Sequence, residues 1–295
     1  MKAADFIYHR AASVAEAVQL LDDYGGGARV LAGGQSLVAM LNTRIMRPAA
    51  LIDINGLAGL AHVEARGEET AVGALVRYHT IEMDPAFATR LPLLAHMVRY
   101  VGDRQVRNRG TIGGSLVQGD PSAEMPLACL VLGATVRLRG PAGCRQVAMA
   151  DFYEGAYAAA VAPDEILEEI VFPRHPEHFA FHEINRRHND FAVLSVVATG
   201  DRGEDGRWSD VRIGLGSAGV TPLRVFEAEP LLAGTRLDEA AIAGAAEAAV
   251  TASSPVSDMR AGEDYRRHLV SVYVPRVLRE LRDRGDQQTR RGVRT

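Results

Sequence analysis

Apolar residues recur along this chain in two patterns, one with the spacing of helices and one as the short runs typical of buried strands. Ser13-Val14-Ala15-Glu16 has the form of a capping box, and the apolar residues after it predict a helix that ends at the glycines of 25–27. Helical spacing also predicts helices over 91–101 and 126–132, and a helical or irregular segment over 37–46. Short apolar runs predict strands over 30–31, 51–54, 72–74, 135–139 and 166–172.

The pattern changes after Pro173 and Pro176, which interrupt the apolar spacing. Beyond these prolines, 191–199 and 211–215 have the residue types of antiparallel strands, and the glycine- and aspartate-rich segment 200–206 predicts the turn between them. A domain boundary is therefore expected near the two prolines.

Two helices are predicted in the last part of the chain. Asp238 stands where it can cap an alanine-rich helix that runs through Ala249. A second helix over 265–281 has to accommodate Pro275, and the polar, basic segment 285–295 is expected to be disordered. Taken with the strands, these helices predict an α+β protein of two domains.

Two glycine pairs are the most informative local feature, and they lie in Ala32-Gly33-Gly34-Gln35-Ser36 and Thr111-Ile112-Gly113-Gly114-Ser115. Each is expected where β-type sequence meets a turn. Glycine has no Cβ and tolerates positive φ, so such a loop can turn several N–H groups toward one anion. Two loops of similar chemistry indicate a clamp on a diphosphate, and hence a dinucleotide cofactor.

The common nucleotide-binding motifs are missing from the sequence. No G-x-G-x-x-G opens a helix, because Gly25-Gly26-Gly27 follows a predicted helix instead of a strand. No G-x-x-x-x-G-K-[ST] is present either, and the only lysine is Lys2. The sequence therefore argues against a P-loop NTPase.

Composition narrows the class of protein further. The chain has 295 residues, 47% of them hydrophobic, and a formal net charge of −4, which argues against nucleic acid or an anionic membrane as a partner. No apolar run long enough for membrane insertion occurs, so a cytoplasmic location is expected. The two cysteines cannot hold an iron–sulfur cluster, and Cys129 is expected to be buried. The histidines show no metal-binding spacing, and no metal site is expected.

The chain, over roughly residues 5–280, resembles the FAD-binding medium subunit of the molybdenum hydroxylases, the family of carbon monoxide dehydrogenase and xanthine dehydrogenase. The two glycine loops are part of this likeness. The stretch from Val106 to Leu116, with the core R-N-R-G-T-I-G-G, is highly specific. The other stretches that carry the likeness are 31–37, 51–54, 120–124, 163–167, 186–187, 190–192, 257–258 and 265–267.

The resemblance implies the fold and its domains. It implies a FAD-binding fold of the vanillyl-alcohol-oxidase and MurB type (PCMH type), α+β, in two subdomains over 1–175. A smaller α+β domain, like the C-terminal domain of the carbon monoxide dehydrogenase flavoprotein, is implied over 178–284.

The resemblance also implies the cofactor contacts. The FAD pyrophosphate would be held by Ala32, Gly33, Gly34, Gln35 and Ser36 together with Thr111, Ile112, Gly113, Gly114 and Ser115. Glu124 matches an acidic position that meets the adenosine end of FAD, and Leu167 matches an apolar position near the flavin. Phe191 matches the aromatic position beside the isoalloxazine, where tyrosine is usual. Glu183 departs from the family, because several relatives have lysine there.

The resemblance assigns the substrate chemistry to other chains. Substrate would be oxidised at a molybdopterin centre on a large subunit, and electrons would pass through 2Fe–2S clusters on a small subunit to this FAD and then to an external electron acceptor. The complex would be a dimer of heterotrimers. A self-contained flavin oxidoreductase and a scaffold protein without flavin are the alternatives.

Several residues have a structural interpretation beside the functional one. Asp53 can cap a strand end, and Arg107 and Arg109 can be surface charges, pair with Glu124 or contact a phosphate. Phe191 can be a core residue, because an aromatic in a strand normally packs.

Overall fold

The structure is a computed structural model that describes residues 2–187 and 189–292. Its residues form two compact units: one of residues 1–90, 101–119 and 133–174, and the other of 91–100, 120–132 and 175–295. We call them the first unit and the second unit. Leu91–Tyr100 and Asp120–Leu132, which the sequence predicted within an N-terminal domain, group with the second unit.

The strands, in chain order, are β1 (Ile7–Arg10), β2 (Ala28–Leu31), β3 (Ala50–Asp53), β4 (Val63–Arg66), β5 (Glu69–Gly73), β6 (Thr135–Gly140), β7 (Gly143–Ala148), β8 (Tyr153–Gly155), β9 (Ala158–Ala159), β10 (Ile166–Phe172), β11 (His178–Ile184), β12 (Leu194–Arg202), β13 (Trp208–Gly216) and β14 (Leu223–Arg224).

The helices are α1 (Val14–Asp23), α2 (Leu37–Asn42), α3 (Tyr78–Met83), α4 (Pro85–Arg90), α5 (Pro92–Met97), α6 (Arg104–Arg109), α7 (Ile112–Gln118), α8 (Glu124–Val131), α9 (Glu229–Leu232), α10 (Glu239–Ala252) and α11 (Glu263–Gly292). Short 3-10 turns cover Ala58–Leu60, Val98–Tyr100 and Met149–Asp151.

The first unit is built around two larger sheets. A parallel sheet has the order β1-β3-β2, with β3 buried along its whole length. An antiparallel sheet has the order β4-β5-β10-β6-β7. Helix α1 buries Ala17, Val18 and Leu21 in the core that also contains Ile52. A parallel sheet has to be covered on its faces, which explains why β3 is apolar from Ala50 to Ile52, before the buried Asp53 at its end.

The second unit contains an antiparallel sheet of order β11-β12-β13-β14. Helix α11 packs against β11 and β12, α10 packs against α11, and α8 packs against β12 and β13. Trp208, the only tryptophan of the chain, is 1% exposed in this core. The mixed helix and sheet content predicted from the sequence is confirmed.

Several local predictions are also confirmed. Ser13 caps α1, with its Oγ 3.1 Å from the Glu16 amide, and Glu16 accepts from the Ala12 amide at 2.7 Å. Asp238 caps α10, and α11 contains Pro275 without interruption. Helix α11 extends to Gly292, so the backbone is helical where the sequence predicted a disordered tail from 285; residues 293–295 lie outside the described residues.

Two local predictions are wrong. The segment before the second glycine pair is helix α6 instead of β-type structure, because Asp103 caps it by accepting from the Val106 amide at 2.9 Å. Phe191 precedes the strand in which it was predicted, since β12 begins only at Leu194.

Gly214 in β13 lies where α8 comes closest to the sheet. A Cβ there would be 2.2 Å from Val131 Cγ2 and 2.9 Å from Leu127 Cδ1. We expect Gly214→Ala to lower the free energy of unfolding by about 1–3 kcal/mol, because the extra methyl overpacks the core. Denaturant unfolding followed by Trp208 fluorescence measures this change in the second unit.

Gly244→Ala is the matched control in the same unit. Its Cβ would meet its nearest neighbour, Leu231 Cδ1, at 3.7 Å, and it lies inside α10. This substitution is expected to raise the free energy of unfolding by about 0.5–1 kcal/mol. An unchanged unfolding midpoint for Gly214→Ala would contradict the packing argument.

Candidate functional site

The first glycine segment connects β2 to α2. Gly34 has a φ of +73°, which a side chain would make unfavourable, while Gln35 and Ser36 are exposed. Within the part of the chain that the structure describes, the amides of Gly33, Gly34, Gln35 and Ser36 donate to no protein acceptor. A turn with several free N–H groups and a glycine at positive φ has the chemistry of an anion-binding concavity.

The second glycine segment forms the first turn of α7, and its amides bond within the chain. Thr111 is the N-cap, and its Oγ1 accepts from the Gly114 amide at 3.1 Å. The Ile112 amide donates to Val76 O at 3.1 Å, and the Gly113 amide donates to Ala74 O at 3.0 Å. This turn is therefore held by the residues directly after β5.

The two glycines of this pair face different surroundings. Gly113 is buried, and a Cβ on it would lie 2.6 Å from Ala74 Cβ. Gly114 is exposed, and a Cβ on it would meet only Thr111 Oγ1, at 2.8 Å. Gly113 is thus required for packing, whereas Gly114 keeps an open surface beside the turn.

Gly33 contacts the residues that directly precede the second glycine segment. A Cβ on Gly33 would lie 2.3 Å from Arg109 O and 2.9 Å from Gly110 Cα, distances that no real side chain permits. Gly110 in turn packs against Tyr78, whose ring carbon would be 2.5 Å from a Cβ on Gly110. This close backbone contact therefore requires glycine at Gly33, while the predicted clamp on a diphosphate stays a prediction.

A side-chain bridge that the sequence did not predict joins the same two segments. Asn55 Nδ2 donates to Ala32 O at 2.8 Å, and the Asn55 Oδ1 accepts from Arg77 Nη2 at 2.5 Å. The Arg77 guanidinium also donates to Arg109 O. The sequence indicated this bridge only by placing a polar residue, Asn55, directly after a predicted buried strand.

Asp53, at the end of β3, anchors this bridge. Its Oδ1 accepts from the Asn55 amide at 2.8 Å and from Asn55 Nδ2 at 2.6 Å, and its other oxygen accepts from the Tyr8 hydroxyl. Burial opposes ionisation, but the hydrogen bonds from Tyr8 and Asn55 outweigh it and hold the pKa of Asp53 below its usual value. Asp53 therefore caps the end of β3 and orients Asn55.

Two arginines put positive charge near the contact. Burial, and then the charge of Arg109, lower the pKa of Arg77. The Arg109 side chain is exposed and makes no hydrogen bond or ion pair with the described residues. Arg107, which was considered for phosphate contact, instead pairs with Glu82 at 2.9 Å and donates to Gly102 O at 2.7 Å. Of Arg107 and Arg109, it is thus Arg109 whose guanidinium is available to an anion.

The other predicted site residues lie apart in the chain. Leu167 is 4% exposed in β10 of the first unit, opposite Leu138 in the β10–β6 pair. Glu124 begins α8 in the second unit and is 8% exposed. Phe191 also belongs to the second unit and is 53% exposed, so its interpretation as a core residue is wrong.

Glu124 and Glu183 form a pair of interacting carboxyl groups in the second unit. Burial is the main cause that raises the pKa of Glu124, and Asp120 adds to it. Burial and the charge of Glu124 raise the pKa of Glu183, although its oxygens accept from Asn185 at 3.0 Å and from Ser195 at 3.4 Å. Two such carboxyls retain a proton into the neutral pH range, since the second negative charge is costly.

The cysteine and histidine predictions concern other parts of the chain. Cys129 is fully buried, as predicted, while Cys144 is exposed. His178 packs on the Trp208 ring at 5.3 Å, and His182 Nε2 lies 2.6 Å from Glu280 Oε2. His188 lies outside the described residues. Among those described, no three His, Cys, Asp or Glu residues are grouped to hold a metal ion.

No helix in the described ranges 2–187 and 189–292 combines the length and the apolar character that crossing a membrane requires.

The carboxyl pair predicts a specific pH dependence. Because the folded pKa values are raised above the ordinary 4.5, the folded chain binds protons that the unfolded chain has already released, and stability falls as the pH rises. We expect Glu183→Gln to reduce this fall and to raise the free energy of unfolding by about 1–3 kcal/mol at about pH 8. Denaturant titrations between about pH 5 and about pH 8, followed by Trp208 fluorescence, test it.

Glu247→Gln removes an exposed carboxylate from the same unit and serves as the control. Its stability should follow the same pH dependence as that of the unaltered chain. If Glu183→Gln also follows that dependence, the pKa of Glu183 is not raised in the folded chain.

Comparison with known proteins identifies the family. The family described as "FAD binding domain in molybdopterin dehydrogenase" matches residues 3–175, and the "CO dehydrogenase flavoprotein C-terminal domain" matches residues 179–281. The two matches lie one after the other along the chain.

Whole proteins of similar length also match. The chain is 36% identical to the 6-hydroxypseudooxynicotine dehydrogenase complex subunit alpha of Paenarthrobacter nicotinovorans, covering 94% of this chain and 95% of that protein. It is 35% identical to the carbon monoxide dehydrogenase medium chain of Afipia carboxidovorans, covering 95% and 97%. The solved carbon monoxide dehydrogenase of Hydrogenophaga pseudoflava superposes with a TM-score of 0.92 at 34% identity, covering 95% of this chain and 98% of that one. The chain therefore belongs to the family of flavoprotein subunits with the FAD-binding domain of molybdopterin dehydrogenases, and it is a FAD-binding oxidoreductase subunit.

Proposed function

We propose that this chain is the FAD-carrying electron-transfer subunit of a heterotrimeric molybdenum hydroxylase or dehydrogenase. A small partner subunit carries 2Fe–2S clusters, a large partner subunit carries molybdopterin and oxidises the substrate, and the complex is a dimer of such heterotrimers in the cytoplasm. The observation that carries the proposal is the end-to-end likeness to a carbon monoxide dehydrogenase medium chain. The chain's two cysteines are too few to ligate a cluster, which supports placing the 2Fe–2S clusters on a partner subunit.

The fold that belongs to this proposal is the vanillyl-alcohol-oxidase and MurB type, with the FAD-binding domain over 1–175 and the C-terminal domain over 178–284. Its two subdomains correspond to the two larger sheets of the first unit, one parallel and one antiparallel. The separate antiparallel sheet from β11 to β14 supports a C-terminal domain with its own core.

The first unit supplies groups that fit the pyrophosphate of FAD. Free amides over 33–36 are suited to phosphate oxygens, and the missing Cβ at Gly114 leaves room for them beside α7. The exposed Arg109 guanidinium adds a positive charge near the same backbone. Ala32 begins the turn whose amides over 33–36 donate hydrogen bonds, while Thr111 to Ser115 form a fixed surface, with the Ser115 hydroxyl as a further donor.

Three further contacts complete the proposed binding residues. Leu167 provides an apolar contact near the flavin, Glu124 meets the ribose hydroxyls of the adenosine, and Phe191 lies beside the isoalloxazine. Burial raises the pKa of Glu124 to about 7, and its carboxyl oxygens can accept hydrogen bonds from ribose hydroxyls. The bound FAD supplies the redox chemistry, and the protein residues bind and orient it.

Gly33→Ala tests the pyrophosphate site. The methyl group would collide with Arg109 O and separate the two glycine segments, so the purified chain is expected to lose at least about nine-tenths of its FAD. FAD content is measured from the visible spectrum and from the flavin released by acid, which should be complete because binding is non-covalent.

Gly59→Ala is the control in the same unit, because nothing lies within 4 Å of its Cβ position. This variant should retain FAD in full. Stoichiometric FAD in purified Gly33→Ala would show that the pyrophosphate does not depend on this contact.

The assembly is tested on the complex from the native host. A tagged chain is expected to copurify with a subunit that contains 2Fe–2S clusters and a subunit that contains molybdenum, in one peak on size-exclusion chromatography. Iron and molybdenum analysis and the reduction of the flavin by the complex's substrate provide the measurements. A chain that purifies alone and oxidises a substrate by itself would refute the proposed assembly.

A further inference from the structure

The ring of Phe191 is covered on one side by a guanidinium from a distant part of the sequence. Arg260 Cζ lies 4.5 Å from the centroid of the ring, while 53% of the phenylalanine stays exposed. A cation placed over an aromatic face is attracted by the negative charge of that face. Contact with Arg260 therefore restricts the orientation of an otherwise exposed ring.

Arg260 is held in place at its backbone and at its side chain. Asp258 Oδ1 accepts from the Arg260 amide at 2.8 Å, and Asp258 Oδ2 lies 3.3 Å from Arg260 Nη1. Arg186 Nη2 donates to Arg260 O at 2.8 Å. The loop that carries Arg260 thus has little freedom to move its guanidinium away from Phe191.

Arg266 connects this loop to the segment that carries Phe191. It is 3% exposed, pairs with Asp258 at 2.8 Å, and donates to Val193 O at 2.8 Å. Burial opposes the ionisation of Asp258, but hydrogen bonds from the Ala261 and Arg260 amides and from Arg266 lower its pKa to about 2. Asp258 is therefore charged at neutral pH, and the arrangement is held by opposite charges.

We propose that Arg260 is a positioning residue for the flavin. It fixes the Phe191 ring and keeps a positive charge behind it, so the ring presents a defined, electrically biased surface to the isoalloxazine. This inference rests on the proposed function, because it requires Phe191 beside the flavin. A nearby positive charge stabilises the more negatively charged, reduced form of a bound group, which raises its reduction potential.

The test uses the full chain with bound FAD. Arg260→Gln is expected to lower the equilibrium constant for flavin reduction by about threefold or more and to change the visible circular dichroism of the flavin, with FAD content unchanged. Arg260→Lys restores the positive charge and should recover most of the reduction potential. A merely structural role would not produce that recovery.

Arg267→Gln is the matched control, since Arg267 pairs with the exposed Asp264 in the same region and should leave the potential unchanged. Phe191→Ala separates the two proposals. If Phe191→Ala alters the flavin spectrum and Arg260→Gln does not alter the potential, Arg260 has no positioning role, while the contact of Phe191 with flavin stands. If neither variant alters spectrum or potential, Phe191 does not contact the flavin and the inference is overturned with that contact.

Discussion

The first unit depends on one backbone contact, in which Gly33 lies against the carbonyl of Arg109 and the Cα of Gly110. Any side chain at Gly33 would overlap these atoms. The contact brings together two segments that are far apart in the sequence, and it positions the end of β2 next to the start of α7. The turn that carries the amides of 33–36 is therefore held against the residues that lead into α7.

Hydrogen bonds of polar side chains support the contact where packing alone would leave polar groups unsatisfied. Asp53 orients Asn55, Asn55 bonds Ala32 O, and Arg77 connects Asn55 to Arg109 O. Burying a guanidinium is energetically costly unless its N–H groups are hydrogen-bonded, and here the Arg109 carbonyl and the Asn55 side-chain oxygen accept from Arg77. The bridge therefore satisfies Arg77 and fixes the distance between the segments at the same time.

Local sequence patterns correctly predicted the structural features that depend only on residues adjacent in the sequence. The cap at Ser13, the buried strand β3 and the helix through Pro275 each follow from a few adjacent positions. The α7 turn was not predicted, because its glycines favour loops and only Thr111 and the carbonyl of Ala74 hold them in a helix. Asn55 and Arg77 gave little signal, since their partners are distant in sequence. The grouping of Leu91–Tyr100 with the second unit was not predicted either. An apolar pattern shows that a segment is buried, but it does not specify in which hydrophobic core the segment packs.

The amides of the two glycine segments differ in a way that affects the thermodynamics of binding. Those of Ile112 and Gly113 already bond the carbonyls of Val76 and Ala74, just after β5, so this turn is ordered without a ligand. Among the described residues, the amides of 33–36 have no protein acceptor, and the proposed FAD pyrophosphate would supply one. In that proposed complex the loss of entropy on binding is confined to one short loop, because the second segment is preorganised.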